Sequence, residues 1–248
     1  MSLKRSKITV PSVDAGESAA GGGPGAAVRI FPGLGGPVGQ VHPLRIPGPE
    51  GETHGGHLLG GGDLYCKENE MITVTKTKRG ELPMIFYLYR TAFPRNERKP
   101  FSRITSMVKE GRADLWTIRR DGRFAGLAAT VNAPEIVLLD YFAVKRSLRG
   151  LGVGREALKA LMEHYRDRGI FVEIESTLAE AENQQERQKR KEFYVNCGME
   201  PMGTEADLFG VRMELLGVRC HLDFESYRSF YRDHYSPWAA EHSREVQP

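Results

Sequence analysis

Arg149-Gly150-Leu151-Gly152-Val153-Gly154-Arg155 sets three alternating glycines between an apolar run and a helical stripe. Glycines let successive backbone N–H groups converge on an anion without Cβ obstruction. A helix N-terminus behind them adds unsatisfied donors and the positive end of its dipole. A pyrophosphate suits such a corner. The spacing is G-x-G-x-G, not the dinucleotide-binding G-x-G-x-x-G, and no Gly-Lys-Ser/Thr follows as a P-loop requires. A mononucleotide site and a bare glycine turn are the competing readings.

Carboxylates supply the second candidate chemistry. Asp140 is the only charge in Ile136–Val144, and strand alternation puts it on one face with Leu138, Phe142 and Val144. A carboxylate there must be paired or carry a raised pKa, and either suits a proton acceptor. A hydrogen-bonded structural Asp is the alternative. Glu173 and Glu175 share a face of the following apolar run. They are rival bases, or a binding site for a cationic substrate. Glu135, at the entrance to the first run, is a further candidate.

The elements that must position these groups are legible. Ile72–Lys76 alternates and is β-branched, a short strand. Leu82, Ile85, Phe86, Tyr89 and Phe93 recur at helical spacing, with Pro83 near the start and Pro94 as the stop. A second helix is expected over 101–109. Asp121-Gly122 between two β-rich runs predicts a hairpin. Ile136–Val144 reads as a central strand covered on both faces. Val153, Ala157, Leu158, Leu161, Met162 and Tyr165 make the stripe of the next helix, ended by Gly169. A strand over 170–176, a polar helix closing on Phe193-Tyr194, and a last strand or hairpin over 207–216 with a bend at Gly210 follow. The order β, α, α, β, β, β, α, β, α, β predicts a mixed α/β sheet.

With this order, the chain resembles the GNAT superfamily of acetyl-CoA-dependent N-acetyltransferases, in a bacterial-type form. The signature Arg/Gln-x-x-Gly-x-Gly/Ala is met by Arg149, Gly152 and Gly154. A second element, Phe-Tyr-x-x-x-Gly-Phe, appears as Phe193-Tyr194-Val195-Asn196-Cys197-Gly198-Met199, with Met in the last place. The resemblance covers about 71–217. It implies a GNAT fold in which coenzyme A enters a V-shaped opening between 136–144 and 170–176. Backbone groups of Phe142, Ala143 and Val144 would pair with the pantetheine arm, and one N–H there would polarise the thioester carbonyl. Amides of Arg149, Gly150, Leu151, Gly152, Val153, Gly154 and Arg155 would hold the pyrophosphate. Tyr194 would donate a proton to the departing thiolate, with Asp140, Glu173 or Glu175 as base, directly or through water. The family's Asn before the tyrosine is here Arg187. Arg187 or Arg190 would then reach the nucleotide phosphates, unless this basic helix face is merely solvated.

Composition bounds the rest. The chain has 248 residues, 35 Lys+Arg against 32 Asp+Glu, and 40% hydrophobic residues. That balance is too mild to suggest nucleic acid, and no apolar run is long enough for a membrane span. Residues 1–70 hold 16 of the 28 Gly and 7 of the 14 Pro. They read as a disordered leader. Lys67-Glu68 can be encoded by AAGGAG, a purine-rich ribosome-binding sequence, before the ATG of Met71, so the leader is a candidate for upstream sequence. Three unpaired cysteines and no secretory signal suit a reducing cytoplasm. The histidines have no ligand spacing, so no metal is expected.

Three regions are therefore expected: the leader 1–70, a catalytic domain 71–217, and an aromatic-rich helical extension 218–248. Phe224, Tyr227, Phe230, Tyr231, Tyr235 and Trp238 form one helical stripe, for packing on the domain, for a homodimer contact, or for capping an acceptor pocket. The connection 93–101 is a lid or an ordinary surface loop; Glu97 would bind an amine there, Arg95 and Arg98 a carboxylate. The resemblance implies acetyl transfer to a primary amine of a small-molecule acceptor. A protein or peptide acceptor and a non-catalytic CoA-binding module are the alternatives.

Overall fold

Asp121 and Gly122 both adopt positive φ, 50° and 74°, the geometry a two-residue hairpin turn requires. They join β2 (Ala113–Arg120) to β3 (Arg123–Asn132), and β1 (Ile72–Lys76) adds on the outside of β2. The computed structural model describes residues 71–246. The expectations about 1–70, including Met71 as initiator of a shorter chain, concern sequence outside the described residues.

Eight strands form one sheet in the order β1-β2-β3-β4-β5-β7-β6-β8. The central strand β4 (Ile136–Val144) is antiparallel to β3 and parallel to β5 (Gly169–Glu175). The β4–β5 crossover runs through α3 (Val153–His164), as a parallel pair requires. Beyond β5, α4 (Gln184–Asn196) leads into the hairpin of β6 (Glu200–Leu208) and β7 (Val211–Val218). The mixed α/β architecture agrees with the sequence reading, and Gly210, at φ 83°, sits in the β6–β7 turn.

Helices cover both faces. Val153, Ala157, Leu158 and Leu161 of α3 bury against Val137, Leu139, Phe142 and Val144 of β4 and Ile170, Val172 and Ile174 of β5. Opposite, Ile85, Leu88, Tyr89 and Ala92 of α1 (Leu82–Ala92), with Ile104 of α2 (Phe101–Lys109), cover Leu127, Tyr141 and Ala143. The C-terminal segment covers the other half of that face, packing Phe224, Tyr227, Phe230, Tyr231 and Tyr235 on Leu138, Phe171, Met213 and Leu215.

Two expectations need correction. The tail is not one helix. It runs through α5 (Phe224–Phe230), a π-helical turn (Tyr231–Tyr235), α6 (Pro237–Glu241) and a short edge strand β8 (Ser243–Glu245) on β6. Trp238 leaves the buried stripe and is half exposed, stacked on Phe209 and tilted against His242. The alternation assumed for Asp140 also fails. Tyr141 pairs with Ala129 but Leu139 pairs with Thr130, so Asp140 is the extra residue of a β-bulge. The bulge puts Leu138 on the opposite face from Phe142 and Val144. Asp140 points to the face of Leu138, where Lys99 and Tyr235 meet it.

Candidate active site

Strands β4 and β5 bridge only at Ile136–Gly169, Val137–Ile170 and Leu138–Phe171. Beyond that point β4 continues on β3, through Phe142–Ala128, Ala143–Leu127 and Val144–Gly126, while β5 continues on β7. The two central strands therefore part. The backbone edge of β4 at 142–144 that faces β5 carries no ladder pairing among the described residues. Gly126 makes the other edge possible: a Cβ there would collide with the Ala143 carbonyl oxygen and come within 3.3 Å of Val144 Cα.

At the C-terminal end of β4 the chain turns through the glycine run. Gly150 and Gly152 have φ of 75° and 79°, conformations that L side chains rarely adopt. A Cβ at either would meet nothing within 4 Å, so there is open space beside the loop at both positions. Gly152 is the N-cap of α3 and no side chain caps that end. The first-turn amides of Val153, Gly154 and Arg155 therefore have no intrahelical acceptor. The Arg149 guanidinium turns back to the Val144 carbonyl at 3.3 Å, and Leu151 is exposed. A Cβ on Gly154 would touch the Phe193 ring at 3.4 Å. Phe193 also stacks on Phe142 at 6.3 Å and lies 5.2 Å from Tyr194. The two sequence motifs thus meet in space. Tyr194 is buried, and burial pushes its phenol well above the ordinary range, so the hydroxyl stays protonated.

Of the four candidate carboxylates, Asp140, Glu173 and Glu175 are buried and engaged, while Glu135 is exposed. Asp140 on β4 and Glu173 on β5 each lie two residues beyond the last bridge, Leu138–Phe171. Asp140 ion-pairs with Lys99, and the Tyr235 hydroxyl donates to it at 3.4 Å. Glu173 accepts 2.6 Å from the Tyr231 hydroxyl. Glu175, at the end of β5, is held by Arg187 and Arg190 of α4, each at 3.2 Å, and by Asn183. Arg187 also donates to the Ser176 carbonyl. It thus joins Arg190 in an ion-pair cluster on Glu175.

Residues 82–199 match the Acetyltransferase (GNAT) family. The chain carries a GNAT acetyltransferase domain. Among solved structures, it is similar to a Bacteroides thetaiotaomicron protein described as an acetyltransferase of the GNAT family, at 19% identity and a TM-score of 0.53, over 66% of this chain and 99% of that one. A spermidine N-acetyltransferase from Vibrio cholerae, in complex with CoA and spermine, is 13% identical with a TM-score of 0.47, over 59% and 94%. The ribosomal-protein-S18-alanine N-acetyltransferase of Escherichia coli is 17% identical with a TM-score of 0.44, over 62% and 97%. These identities speak to the fold alone. No curated protein matches the sequence.

On the face of α1 and α2, the GNAT domain has a cleft of about 580 Å³, lined among others by Phe86, Arg90, Arg95, Arg98, Lys99 and Phe101. The connection between the helices is not loose. Tyr89 donates to the Lys99 carbonyl at 2.9 Å, the Lys99 N–H donates to the Tyr141 hydroxyl at 3.2 Å, and that hydroxyl donates to the Glu97 carbonyl at 3.1 Å. Glu97 is buried rather than turned into the cleft. The Lys99 ammonium sits 4.0 Å from the Tyr235 ring centroid and 5.4 Å from that of Tyr141. Sequence reasoning missed Lys99, Tyr231 and Tyr235 as site residues. The available signal was Tyr231 and Tyr235 four apart on an apolar stripe, which reads equally well as core. Among the described residues there is no cluster of potential metal ligands and no helix long and apolar enough to cross a membrane.

Proposed function

We propose that the protein is an N-acetyltransferase moving acetyl from acetyl-CoA to a primary amine of a small-molecule acceptor through a ternary complex. The observation that carries this reading is the parting of β4 from β5 directly before an open, uncapped glycine corner. The residues present fit the co-substrate: an unpaired strand edge for an extended amide-bearing arm, then convergent amides for a diphosphate. Acetyl-CoA supplies an activated acyl group on a thiol leaving group.

The chain's own residues would divide the work as follows. Backbone groups of Phe142, Ala143 and Val144 hold the arm, and one N–H beside the Asp140 bulge polarises the acyl carbonyl. Amides from Gly150 to Arg155 hold the diphosphate, with Arg149 bracing the loop on Val144. Tyr194 keeps its proton at assay pH and delivers it to the sulfur. Asp140 and Glu173, each two residues past the last β4–β5 bridge, are the candidate acceptors of the amine proton, by way of water or of their tyrosine partners. Arg187 is assigned to holding Glu175, not to phosphate. Two free thiols, Cys197 buried and Cys220 half-buried, suit a reducing compartment such as the cytoplasm.

One observation favours a second reading, a non-catalytic CoA-binding module: Asp140, Glu173 and Glu175 each already have a cation or a hydroxyl against them. Calorimetric titration with acetyl-CoA, together with a thiol-release assay over an amine panel, separates the two. Binding with turnover supports the transferase, binding without turnover on any amine supports the module, and no binding refutes both.

A further inference from the structure

The cleft between α1 and α2 has an uneven charge. Arg90, Arg95, Arg98 and Lys99 line it, and no acidic side chain does. Lys99 is spent on Asp140. The three arginines are not spent in this way. Arg98 uses its Nε on the Pro94 carbonyl at 3.3 Å, and Arg90 lies over the Phe86 ring at 5.7 Å. Both contacts orient a guanidinium while leaving most of its five N–H donors for a ligand. Arg95 is exposed at the rim. Phe86 and Phe101, 5.1 Å apart, form an apolar wall. Lys99 also lines the cleft, and its ammonium pairs with Asp140 on β4, just past the last β4–β5 bridge. The Lys99 backbone is held by accepting from the Tyr89 hydroxyl and donating to that of Tyr141.

Planar, forked donors over an aromatic wall are built for carboxylate or phosphate oxygens. They would repel a polyamine. We propose that this cleft holds the acid group of the acceptor, so that the acceptor is a small amine that also carries a carboxylate or a phosphate. This rests on the transferase reading, with the acid at the arginines and the amine directed toward the split. It also ranks the two roles the connecting loop offered: Arg95 and Arg98 face the ligand, and Glu97 does not.

The test begins without acetyl-CoA. Calorimetry measures binding of N-acetylglutamate (its amine blocked), O-phosphoethanolamine and spermidine to the wild type and to Arg95→Ala/Arg98→Ala. At least one of the two acids is expected to bind and spermidine is not. The double variant should weaken acid binding by about tenfold or more, and raised salt should weaken it in the wild type. Preference between the acids tells carboxylate from phosphate. The melting temperature of the variant checks that the fold is intact, as expected from arginines at the surface. In the thiol-release assay, acidic amines should turn over faster than spermidine, and Arg95→Glu/Arg98→Glu should reverse that order. Acid binding lost in the variant, but with no turnover of any amine, supports the cleft assignment and refutes the transferase reading. Turnover of spermidine with no acid binding, or acid binding unchanged in the double variant, overturns the cleft assignment and leaves the transferase reading standing.

Discussion

The Lys99–Asp140 pair determines how the split should be understood, and it can be measured. Both side chains are nearly inaccessible, 8% and 3% exposed, and the ammonium is also wrapped by the Tyr235 and Tyr141 rings. Removing one partner strands a charge in a site built for two. Asp140→Asn leaves a buried ammonium against two phenol rings; Lys99→Met leaves a buried carboxylate without its cation. Each single change is expected to cost about 3–5 kcal/mol. For a domain of this size that is roughly 6–20 °C in Tm. The double variant removes both charges, and Met keeps the length and apolar body of the lysine stem, so its cost should fall well below the sum. Urea unfolding with a constant m value gives the four stabilities. If the singles add to within about 0.5 kcal/mol, the two residues are not coupled and the buried pair is not a real feature of the folded protein. Activity adds a separate result. If Asp140 takes the amine proton, the double variant stays inactive although its stability returns; if Asp140 only anchors the α1–α2 connection, turnover returns with stability.

Four further outcomes follow from the same geometry. Tyr194→Phe should lower kcat by roughly ten- to a thousandfold with acetyl-CoA affinity nearly unchanged, as for loss of a proton donor; an unchanged rate removes Tyr194 from the mechanism. Gly152→Ala should destabilise by about 1–2 kcal/mol, because φ is 79° there although the surrounding space is open. Gly154→Ala, inside α3 and in contact only with the Phe193 and Val144 side chains, should stay within about 0.5 kcal/mol, and equal effects would refute the assigned loop conformation. Burial raises the phenols of Tyr89, Tyr141, Tyr165 and Tyr194 above the ordinary range. The stability they contribute is fully present below about pH 10, where unfolded tyrosines begin to ionise, and is lost as pH rises further; tyrosinate absorbance from these four should appear only with unfolding, not as a reversible titration near pH 10 of the folded protein. Cys220, pushed up by burial to about 11, should react slowly with a disulfide reagent at pH 8 and speed up as pH rises toward that value; fast labelling of Cys220 in the folded protein would contradict its burial.

The parts of this fold written in side-chain periodicity were legible beforehand. The apolar run of β4, the Asp-Gly hairpin, the α3 stripe and the glycine corner each depend on a local rule, and each stands where that rule puts it. The misjudged features depend on backbone register or on distant partners. A one-residue bulge turns Asp140 to the other face, and nothing in the alternation of Ile136–Val144 marks it. Lys99 looked like one cation among several because its partner is forty-one positions away. The C-terminal stripe was recognised as apolar, but its periodicity could not show that two of its tyrosine hydroxyls end on carboxylates rather than in core.

Those two hydroxyls give the tail a connection to the split that simple packing would not require. Tyr231 and Tyr235 lie one π-helical turn apart, with rings 4.7 Å from centroid to centroid. One reaches Glu173 on β5 and the other reaches Asp140 on β4, so a single turn spans the two strands just past the point where they separate. Two buried carboxylates this close to the parting of the strands would resist burial if both were charged and bare. The Tyr231 hydroxyl donates to Glu173, and Tyr235 and Lys99 donate to Asp140. The π turn places both hydroxyls on this one side, inside a continuous core of Phe224, Tyr227 and Phe230. A terminal segment that elsewhere only extends the sheet edge through β8 is, at this turn, part of the wall of the site.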